Sequence, residues 1–383
     1  MQAFRFDVPQ LPPAATDARK RVREFLDVER SGDRFAPHRS SWSTFDPAFS
    51  ERAGAAGFIG VTWPIGFGGQ DLSSLVRFVI TEEMLAAGAP CGAHWIADRQ
   101  SGPQILRYGS ARAKQLILPR ICRGECYFGI GMSEPDSGSD LAAVRTRAVR
   151  SDGGWIIDGS KIWTSNAHRV QYLIVLTRTG EAGEDRHGGL TQFICDLADP
   201  GVTVRPIHNL AGGHEFNEVY FRDFFVADDM MVGSEGEGWA MVTSELAFER
   251  SGPDRFLSDY RLLVELIRRI GANPDTQQSA QIGRLVSHLA ALLRMSTSVA
   301  GLLDAGANPN TEAALVKDVG TAFERELPEL ARRLLPVEVS VDDSDDVFSE
   351  TLAHTLLHAP SFTLRGGTRE ILRGIIARGL GLR

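Results

Sequence analysis

The chain has 383 residues, of which 43% are hydrophobic, and this length and composition suit two or three packed layers around a substantial core. The net charge is −8, with 49 acidic against 41 basic residues, and no basic cluster is dense enough for a nucleic-acid-binding face. The N-terminus lacks the charged-then-apolar pattern of a signal peptide, and no apolar run approaches the roughly 18 residues that a membrane span needs. The sequence therefore predicts a cytoplasmic protein that binds neither nucleic acid nor membranes.

The first third of the chain is predicted to be helical. A Pro-rich arm (residues 1–15) precedes Val22, Phe25 and Leu26, whose i, i+3, i+4 spacing predicts an amphipathic helix over residues 17–27. Further helices are predicted at residues 49–56, 75–87, 102–108 and 111–118.

The middle of the chain has a different pattern. Between residues 126 and 226 it is rich in Val, Ile, Thr and Tyr, and Gly, Asp and Asn separate runs of strand length. These runs predict strands at residues 127–132, 144–150, 155–158, 171–177, 190–196, 202–207 and 217–225. Short strands at this spacing favour a β-barrel or a sandwich-like domain, and we expect an antiparallel barrel.

Helical periodicity returns after residue 233. Helices are predicted at residues 238–249, 255–269, 279–305, 310–333 and 349–358, with an acidic loop over residues 337–346. The predicted fold is therefore a multidomain α+β protein. It has an N-terminal helical domain (1–122), a middle antiparallel β-barrel domain (123–232) and a C-terminal helical bundle (233–383).

The four cysteines indicate a reducing compartment rather than a metal site. Cys91, Cys122, Cys126 and Cys195 lack the paired spacing of a zinc site, and C-x-x-x-C at 122–126 stands alone. We expect buried free thiols and no bound metal.

Two polar motifs dominate the middle of the sequence. The first motif is S-E-P-D-S-G-S-D-L (133–141), in which Pro135 and Gly138 exclude a continuous helix or a central strand. The second motif is D-G-S-K-I-W-T-S-N-A (158–167). Hydroxyl groups, backbone N–H groups and a nearby Trp163 suit the binding of a flat ring system that forms hydrogen bonds.

In this order and spacing, the two motifs resemble the acyl-CoA dehydrogenases, and the likeness extends from Gly57 to Arg250 and returns in the last twenty residues. The resemblance implies FAD as cofactor, an acyl-CoA substrate, a trans-2-enoyl-CoA product and an electron-transfer flavoprotein as acceptor. A hydride acceptor is required because no side chain can play that part. The chain has no G-x-G-x-x-G sequence between a strand and a helix, so the flavin is not expected in a Rossmann site.

The resemblance also assigns roles to residues. Ser133 is predicted to bind the flavin near its N5 edge, and Ser139 to contact the pyrophosphate or the thioester-bearing ligand. The Trp of the second motif, Trp163, is predicted to pack against the flavin. For Ser133 and Ser139 the alternative is ordinary turn chemistry, and for Trp163 it is burial in the barrel core. The predicted flavin contacts are Ile130, Met132, Ser133, Gly138, Ser139, Trp163, Ser165, Thr368 and Glu370.

The catalytic base is predicted to be Glu249. Many family members carry a Glu directly before the C-terminal Gly-Thr, but here that position is Gly366; other branches place the Glu before an Arg on an earlier helix, as in Glu249-Arg250. Glu249 follows Val242 and Leu246 on one helix face, and desolvation there would raise its pKa toward a value useful for a base. The alternative is a salt-bridged Glu at a helix end. Arg250 and Ser139 are the predicted substrate contacts.

Two family elements that reach the adenosine end of a neighbour's flavin are missing. We find no Arg-x-x-Phe-Gly after Glu249, where the chain reads D-R-F-L (254–257), and no Gln-x-x-Gly-Gly before Arg365, where residues 342–346 are acidic. The hypothesis is that the chain is one subunit of an α2β2 hetero-oligomer with a homologous partner, as in bacterial steroid-side-chain dehydrogenases of this family. A helix break at Gly252-Pro253 would leave room for a bulky acyl group.

Two other readings remain open. The same fold could serve an acyl-CoA oxidase or flavin monooxygenase, in which oxygen reaches the reduced ring. Alternatively, the chain could be a non-catalytic subunit that stabilises an active homologue.

Overall fold

The computed structural model describes residues 4–37, 43–181, 183, 185–341 and 346–382, and for residues 244–249 it describes the backbone only. Most of the predicted acidic loop is covered, but its residues 342–345 lie outside this range. The chain forms two compact units. The first unit is Met1–Phe45, Leu72–Gly92 and Ala247–Arg383; the second unit is Asp46–Asp71 and Ala93–Leu246.

The helices lie close to their predicted positions. In chain order, those of the described residues are α1 (Pro13–Ser31), α2 (Pro47–Ala55), α3 (Ser74–Ala86), α4 (Gly102–Tyr108), α5 (Ala111–Cys122), α6 (Gly238–Arg250), α7 (Tyr260–Ile270), α8 (Thr276–Asp304), α9 (Asn310–Leu334), α10 (Val347–Phe362) and α11 (Arg369–Gly379). α1 starts within the predicted extended arm, since Pro13 suits the first helical position, where no N–H is needed. α11 was not predicted.

The first unit is a helical bundle. α8 packs on α3 and α9, and α9 in turn packs on α10 and α11. Aliphatic stripes and ion pairs hold these helices together; Arg23 of α1, for example, bonds Glu83 of α3 with its Nε 2.7 Å from Oε2. The predicted inward stripe of α3 is confirmed, because all its members are buried: Val76, Val79, Ile80, Met84 and Leu85.

One described helix, α8, is long and apolar enough to cross a membrane by length and composition. It is also a packed helix of the bundle: 39% of its most apolar window is buried, and its Arg284 pairs with Glu326 of α9. Core helices of globular proteins pass the same test, so the criterion does not identify a span here.

The second unit contains the sheet. Its strands are β1 (Phe128–Gly131), β2 (Arg147–Ser151), β3 (Gly154–Ser165), β4 (Tyr172–Arg178), β5 (Leu190–Asp196), β6 (Val202–Ile207), β7 (Phe216–Ala227) and β8 (Met231–Val232). The order is β6-β7-β3-β2-β4-β5-β8, and β1 also pairs with β4.

The predicted closed antiparallel barrel is wrong, because the sheet is open. Closure would require its two edge strands to pair with each other. Here β8 has only two residues, and the other edge strand, β6, contains Pro206, which cannot donate a ladder hydrogen bond. In addition, β1 and β2 both pair with β4 in parallel, so the sheet is mixed.

β1 and β2 follow one another along the same edge of β4. Residues 128–131 pair with 172–175, and Arg147 pairs with Arg178 at the far end. The chain between these two strands leaves the sheet as a loop that contains the first motif. β3, which contains most of the second motif, lies between β2 and β7. The topology thus brings the two motifs to neighbouring strand ends.

The predicted state of the cysteines is confirmed in the described structure. Cys91, Cys122, Cys126 and Cys195 are all free and buried. Burial raises the pKa of both the Cys122 and Cys126 thiols to about 12, so neither is a reactive thiolate.

Candidate functional site

Glu134 closes the loop of the first motif. Its backbone exchanges two hydrogen bonds with Ser137, with N···O distances of 2.8 and 3.0 Å, so that Pro135 and Asp136 form a tight turn. Its carboxylate accepts hydrogen bonds from the backbone N–H groups of Arg145 (2.6 Å) and Thr146 (2.9 Å). One buried side chain therefore ties the start of the loop to its end.

Lys161 joins the second motif to this loop. The side chain is fully buried, and Nζ lies 2.7 Å from Glu134 Oε1 and 3.2 Å from the carbonyl oxygen of Met132. Beside it, the Ile162 N–H donates to the Ser133 carbonyl at 2.9 Å. No role was predicted for Glu134 or Lys161 from the sequence; the available signal was the one glutamate in the first motif and the one lysine in the second.

The two partners respond differently to burial. Burial lowers the pKa of Lys161 to about 8, although Glu134 opposes this shift. Burial alone would raise the pKa of Glu134, but Lys161 and the hydrogen bonds from Thr146 and Arg145 outweigh it, and the pKa lies below its ordinary value. The carboxylate is therefore ionised at neutral pH and serves as a structural anion.

Trp163 is turned out of the sheet by an irregularity in β3. The register between β3 and β7 shifts between Lys161 and Thr164, and Trp163 has a φ of 58° in the left-handed region. Bulges of this kind redirect side chains. The indole is 56% exposed, and in the described part of the chain its aromatic neighbour is Phe216, with ring centroids 6.1 Å apart and the rings at 79°. Trp163 is thus not a core aromatic residue.

The second unit brings several predicted flavin contacts together. Ser133 lies beside Ile162, and β1 runs so close to β3 that a Cβ on Gly129 would be 3.0 Å from the Ser165 carbonyl oxygen. Ile130, Met132, Ser133 and Ser165 are half-buried, whereas Gly138 and Ser139 are exposed. Backbone and hydroxyl groups next to an exposed indole suit a flat ring with polar edges.

In the first unit, the equivalent of the usual base position is a turn without a carboxylate. This turn, Arg365–Thr368, is called the glycine turn below. Gly366 and Gly367 have φ of 69° and 101°, which only glycine adopts readily. The Gly366 carbonyl accepts from Arg250 Nε at 3.2 Å, and the Gly367 carbonyl accepts from Lys317 Nζ at 2.7 Å.

The two predicted flavin contacts after the glycine turn belong to the start of α11. Thr368 is its N-cap and accepts a hydrogen bond from the Ile371 N–H at 3.5 Å. Glu370 is exposed, and hydrogen bonds from its own N–H and from Thr368 hold its pKa below the ordinary value.

A buried ionic network surrounds the glycine turn. Arg365 donates to Glu324 Oε2 at 2.6 Å and to Ser258 Oγ at 2.9 Å, and Arg369 donates to Asp318 Oδ1 at 2.7 Å. Arg250 is 5% exposed, and burial lowers its pKa to about 10. The turn therefore lies against buried cations, most of which have partners.

Glu249, the predicted base, lies in the last turn of α6, and its side chain is outside the described residues. Its role, and the substrate contacts predicted for Ser139 and Arg250, stay predictions. The described residues contain no group of three or more His, Cys, Asp or Glu side chains that could hold a metal ion.

The Glu134–Lys161 pair yields a stability prediction. Lys161→Met leaves a buried carboxylate without its cation, and loss of one partner of such a pair typically costs about 3–5 kcal/mol. We expect the free energy of unfolding, measured by urea denaturation, to fall by about 3 kcal/mol or more. Glu134→Gln in the same protein should recover part of the loss. The same substitution at the exposed Lys20 is the control; equal values for K161M and K20M would show that the pair has no structural role.

Family models match almost the whole chain. The N-terminal domain of the acyl-CoA dehydrogenases matches residues 12–125, the middle domain residues 129–224 and the C-terminal domain residues 236–381.

Relatives that are similar over most of this chain are also acyl-CoA dehydrogenases. The acyl-CoA dehydrogenase IpdE1 of Mycobacterium tuberculosis is 34% identical over 341 residues, which cover 88% of this chain and 87% of the relative. IpdE1 of Mycolicibacterium smegmatis is 33% identical, with 88% of each chain covered. The acyl-CoA dehydrogenase FadE34 of M. tuberculosis is 31% identical over 85% of this chain, which spans only 45% of that protein.

Solved structures share the fold. The ChsE4-ChsE5 complex from M. tuberculosis matches with a TM-score of 0.83 at 25% identity, covering 98% of this chain and 99% of the other. The Tcur3481-Tcur3483 steroid ACAD matches with a TM-score of 0.86 at 24% identity, covering 98% and 99%, which indicates a shared fold alone. The predicted order of helical, β and helical regions is confirmed, and so are FAD and oxidoreductase chemistry as properties of the family. The chain belongs to the acyl-CoA dehydrogenase family.

Proposed function

We propose that Glu249 is the base with which this chain carries out its family's reaction, the FAD-dependent α,β-dehydrogenation of an acyl-CoA thioester to a trans-2-enoyl-CoA. The observation that carries the assignment is the glycine turn: Gly366 occupies the usual base position with no side chain and a φ of 69°. The α-proton must therefore be removed by a carboxylate elsewhere.

Three of the described carboxylates near the glycine turn are held by cations or lie in solvent, and a fourth, Asp259, is buried beside Glu324 and Arg365 with a raised pKa. Glu324 accepts from Arg365 and from the Ser258 N–H, and Asp318 is paired with Arg369. Glu370 is exposed and its pKa is lowered, the opposite of what a general base needs. Glu249, on the preceding helix and directly before Arg250, matches the other position that the family uses.

The second unit offers groups that fit FAD. When bound, FAD supplies the hydride acceptor that side chains lack. The exposed indole of Trp163 provides a stacking surface. Ser165 lies two residues further along β3, and Ser133, which follows the end of β1, accepts a hydrogen bond from the N–H of Ile162. The Glu134–Lys161 pair holds the loop in place, so these groups need little reorganisation on binding.

We further infer that the chain works as one subunit of an α2β2 hetero-oligomer. The two elements that would reach the adenosine end of a neighbour's flavin are missing from the sequence. The similarity to the ChsE4-ChsE5 complex, whose name gives two different subunits, supports a homologous partner. We propose a bulky substrate, such as a steroid-side-chain acyl-CoA, and an electron-transfer flavoprotein as electron acceptor. The chain would then act in lipid or steroid degradation. Buried free cysteines fit a reducing cytoplasm.

The role of Glu249 is tested by Glu249→Gln, which keeps the side-chain size and removes the basic carboxylate. We expect turnover of a bulky acyl-CoA to fall about 10²–10⁴-fold, the range typical for loss of a general base, with unchanged flavin content. The measurement is anaerobic loss of flavin absorbance after acyl-CoA is added, on the flavin-containing protein with any co-purified partner. Glu235→Gln, at an exposed position before α6, is the matched control. Full activity of the E249Q complex would instead favour the non-catalytic stabilising subunit.

The role of Trp163 is tested by Trp163→Ala. The side chain is mostly exposed, so the free energy of unfolding should change by less than about 1 kcal/mol. Loss of an aromatic stacking contact worth about 1.4 kcal/mol should weaken FAD binding about tenfold. Trp163→Phe should retain most of the affinity. FAD binding by W163A at wild-type strength, measured by fluorescence titration, would exclude the stacking role.

A further inference from the structure

Lysine is rare in this chain, and its positions are unusual. Only four of the 41 basic residues are lysines, namely Lys20, Lys114, Lys161 and Lys317. Two of the four, Lys161 and Lys317, are fully buried, although lysine is among the residues least often buried in proteins. Lys161 has its carboxylate partner, Glu134. Lys317 instead donates to a backbone carbonyl, that of Gly367.

Lys317 lies on α9 with its ammonium group against the glycine turn. Nζ donates to the Gly367 carbonyl at 2.7 Å, and among the described side chains no carboxylate lies within ion-pair distance of it. The charged groups that face it come from four elements: Arg250 of α6, Arg255 of the turn Pro253–Arg255, Glu324 of α9 itself and Arg365 before α11. Glu324 is already bound by Arg365 and by Ser258.

These surroundings disfavour a charged lysine. Burial and the guanidinium groups of Arg255, Arg365 and Arg250 lower the pKa of Lys317 from an ordinary 10.5 to about 6, and Glu324 opposes them only in part. A buried ammonium without a carboxylate is a burden on stability. A methionine of similar length would fill the same space without that burden, so packing alone does not account for the lysine.

The hydrogen bond of Lys317 holds one of two neighbouring carbonyl groups in the glycine turn. Two successive carbonyl groups of the glycine turn accept hydrogen bonds from buried basic side chains, the Gly366 carbonyl from Arg250 and the Gly367 carbonyl from Lys317. Both glycines have positive φ, which glycine in free chains adopts about as readily as negative φ, so the two residues alone do not fix the turn. The next residue is Thr368, the N-cap of α11 and a predicted flavin contact.

We propose that Lys317 is a positioning residue, whose hydrogen bond to the Gly367 carbonyl fixes the glycine turn in the conformation that presents Thr368 to the flavin. This inference rests on the proposed flavin contacts of this chain. The compact amino group of lysine still has N–H donors when it is neutral, and it suits a single carbonyl oxygen in a closed site, whereas the planar fork of arginine is built for two acceptors.

The first test compares Lys317→Met with the same substitution at the exposed Lys20. The protein is the chain alone if it retains FAD, and otherwise the chain co-expressed with a homologous subunit. For K317M we expect a melting temperature equal to or above that of the wild type, together with FAD binding at least tenfold weaker by fluorescence titration. K20M should match the wild type in both. Wild-type FAD affinity in K317M overturns the proposal, and so does a lower melting temperature, since that would mean a purely structural role.

The second test uses pH. Because the folded-state pKa of Lys317 is about 6 and the unfolded value is 10.5, the unfolded chain binds more protons between these limits. Wild-type stability from this group therefore rises with pH across that window. The melting-temperature advantage of K317M over the wild type should be largest near pH 6 and shrink toward pH 9. An advantage that grows with pH would mean a lysine stabilised by its charge and would overturn the proposal.

Failure of the proposed reaction and failure of the positioning role give different results. If wild-type flavoprotein is not reduced by any acyl-CoA, the proposed reaction is wrong, but the FAD affinities still report on Lys317. If acyl-CoA reduces the wild-type protein and K317M binds FAD normally, the reaction stands and the positioning role is wrong.

Discussion

A lysine side chain is rarely buried in a protein unless oxygen atoms accept its hydrogen bonds, and this constraint acts in each of the two units. In the second unit, Lys161 is fully enclosed and bonds the Glu134 carboxylate and the Met132 carbonyl. Because Glu134 also accepts hydrogen bonds from the N–H groups of Arg145 and Thr146, the same ion pair ties together the two ends of the loop. Two predicted flavin contacts lie close to this pair in the sequence: Ser133 directly precedes Glu134, and Trp163 is two residues after Lys161.

In the first unit the same constraint acts on the backbone. The glycine turn directs two carbonyl oxygens to Arg250 and Lys317, and Arg365 and Arg369 are held by Glu324 and Asp318. The carboxylates of this region are therefore used to balance buried arginines. Asp259 is a further buried carboxylate beside Glu324 and Arg365, and burial raises its pKa. We assign proton abstraction to Glu249 at the end of α6 because the turn itself carries Gly366 where a side chain is expected.

Periodicity and turn residues predicted most of the fold. α4, β5 and β6 have the predicted bounds, because Gly, Pro and Asp mark the ends of these short elements. α5 continues past Pro119 to Cys122, since a proline near the C-terminal end removes only one hydrogen bond. The barrel prediction failed because strand patterns do not reveal whether the edge strands meet. α11 has a clear apolar pattern but follows two glycines, which obscured its start at Thr368.

Only those residues of the candidate site that belong to a sequence motif were predicted. Ser133, Trp163 and Thr368 stood out because they belong to motifs that resemble a family. The pairing of Glu134 with Lys161 is a tertiary contact between residues 27 positions apart, and no local pattern encodes it. The burial of Lys317 was likewise hidden, because its contact lies 50 positions away at Gly367. The exposure of Trp163 depends on a register shift between β3 and β7, which a strand pattern does not show.

We propose that the flavin site of this dehydrogenase subunit needs a homologous partner. The FAD content per chain tests this, from visible absorbance against protein concentration, for the chain purified alone and after co-expression with a homologue encoded nearby. We expect a folded chain with little FAD when alone and stable flavin binding in the mixed assembly. Close to one FAD per chain in the protein purified alone would contradict it and would identify a self-sufficient homo-oligomer.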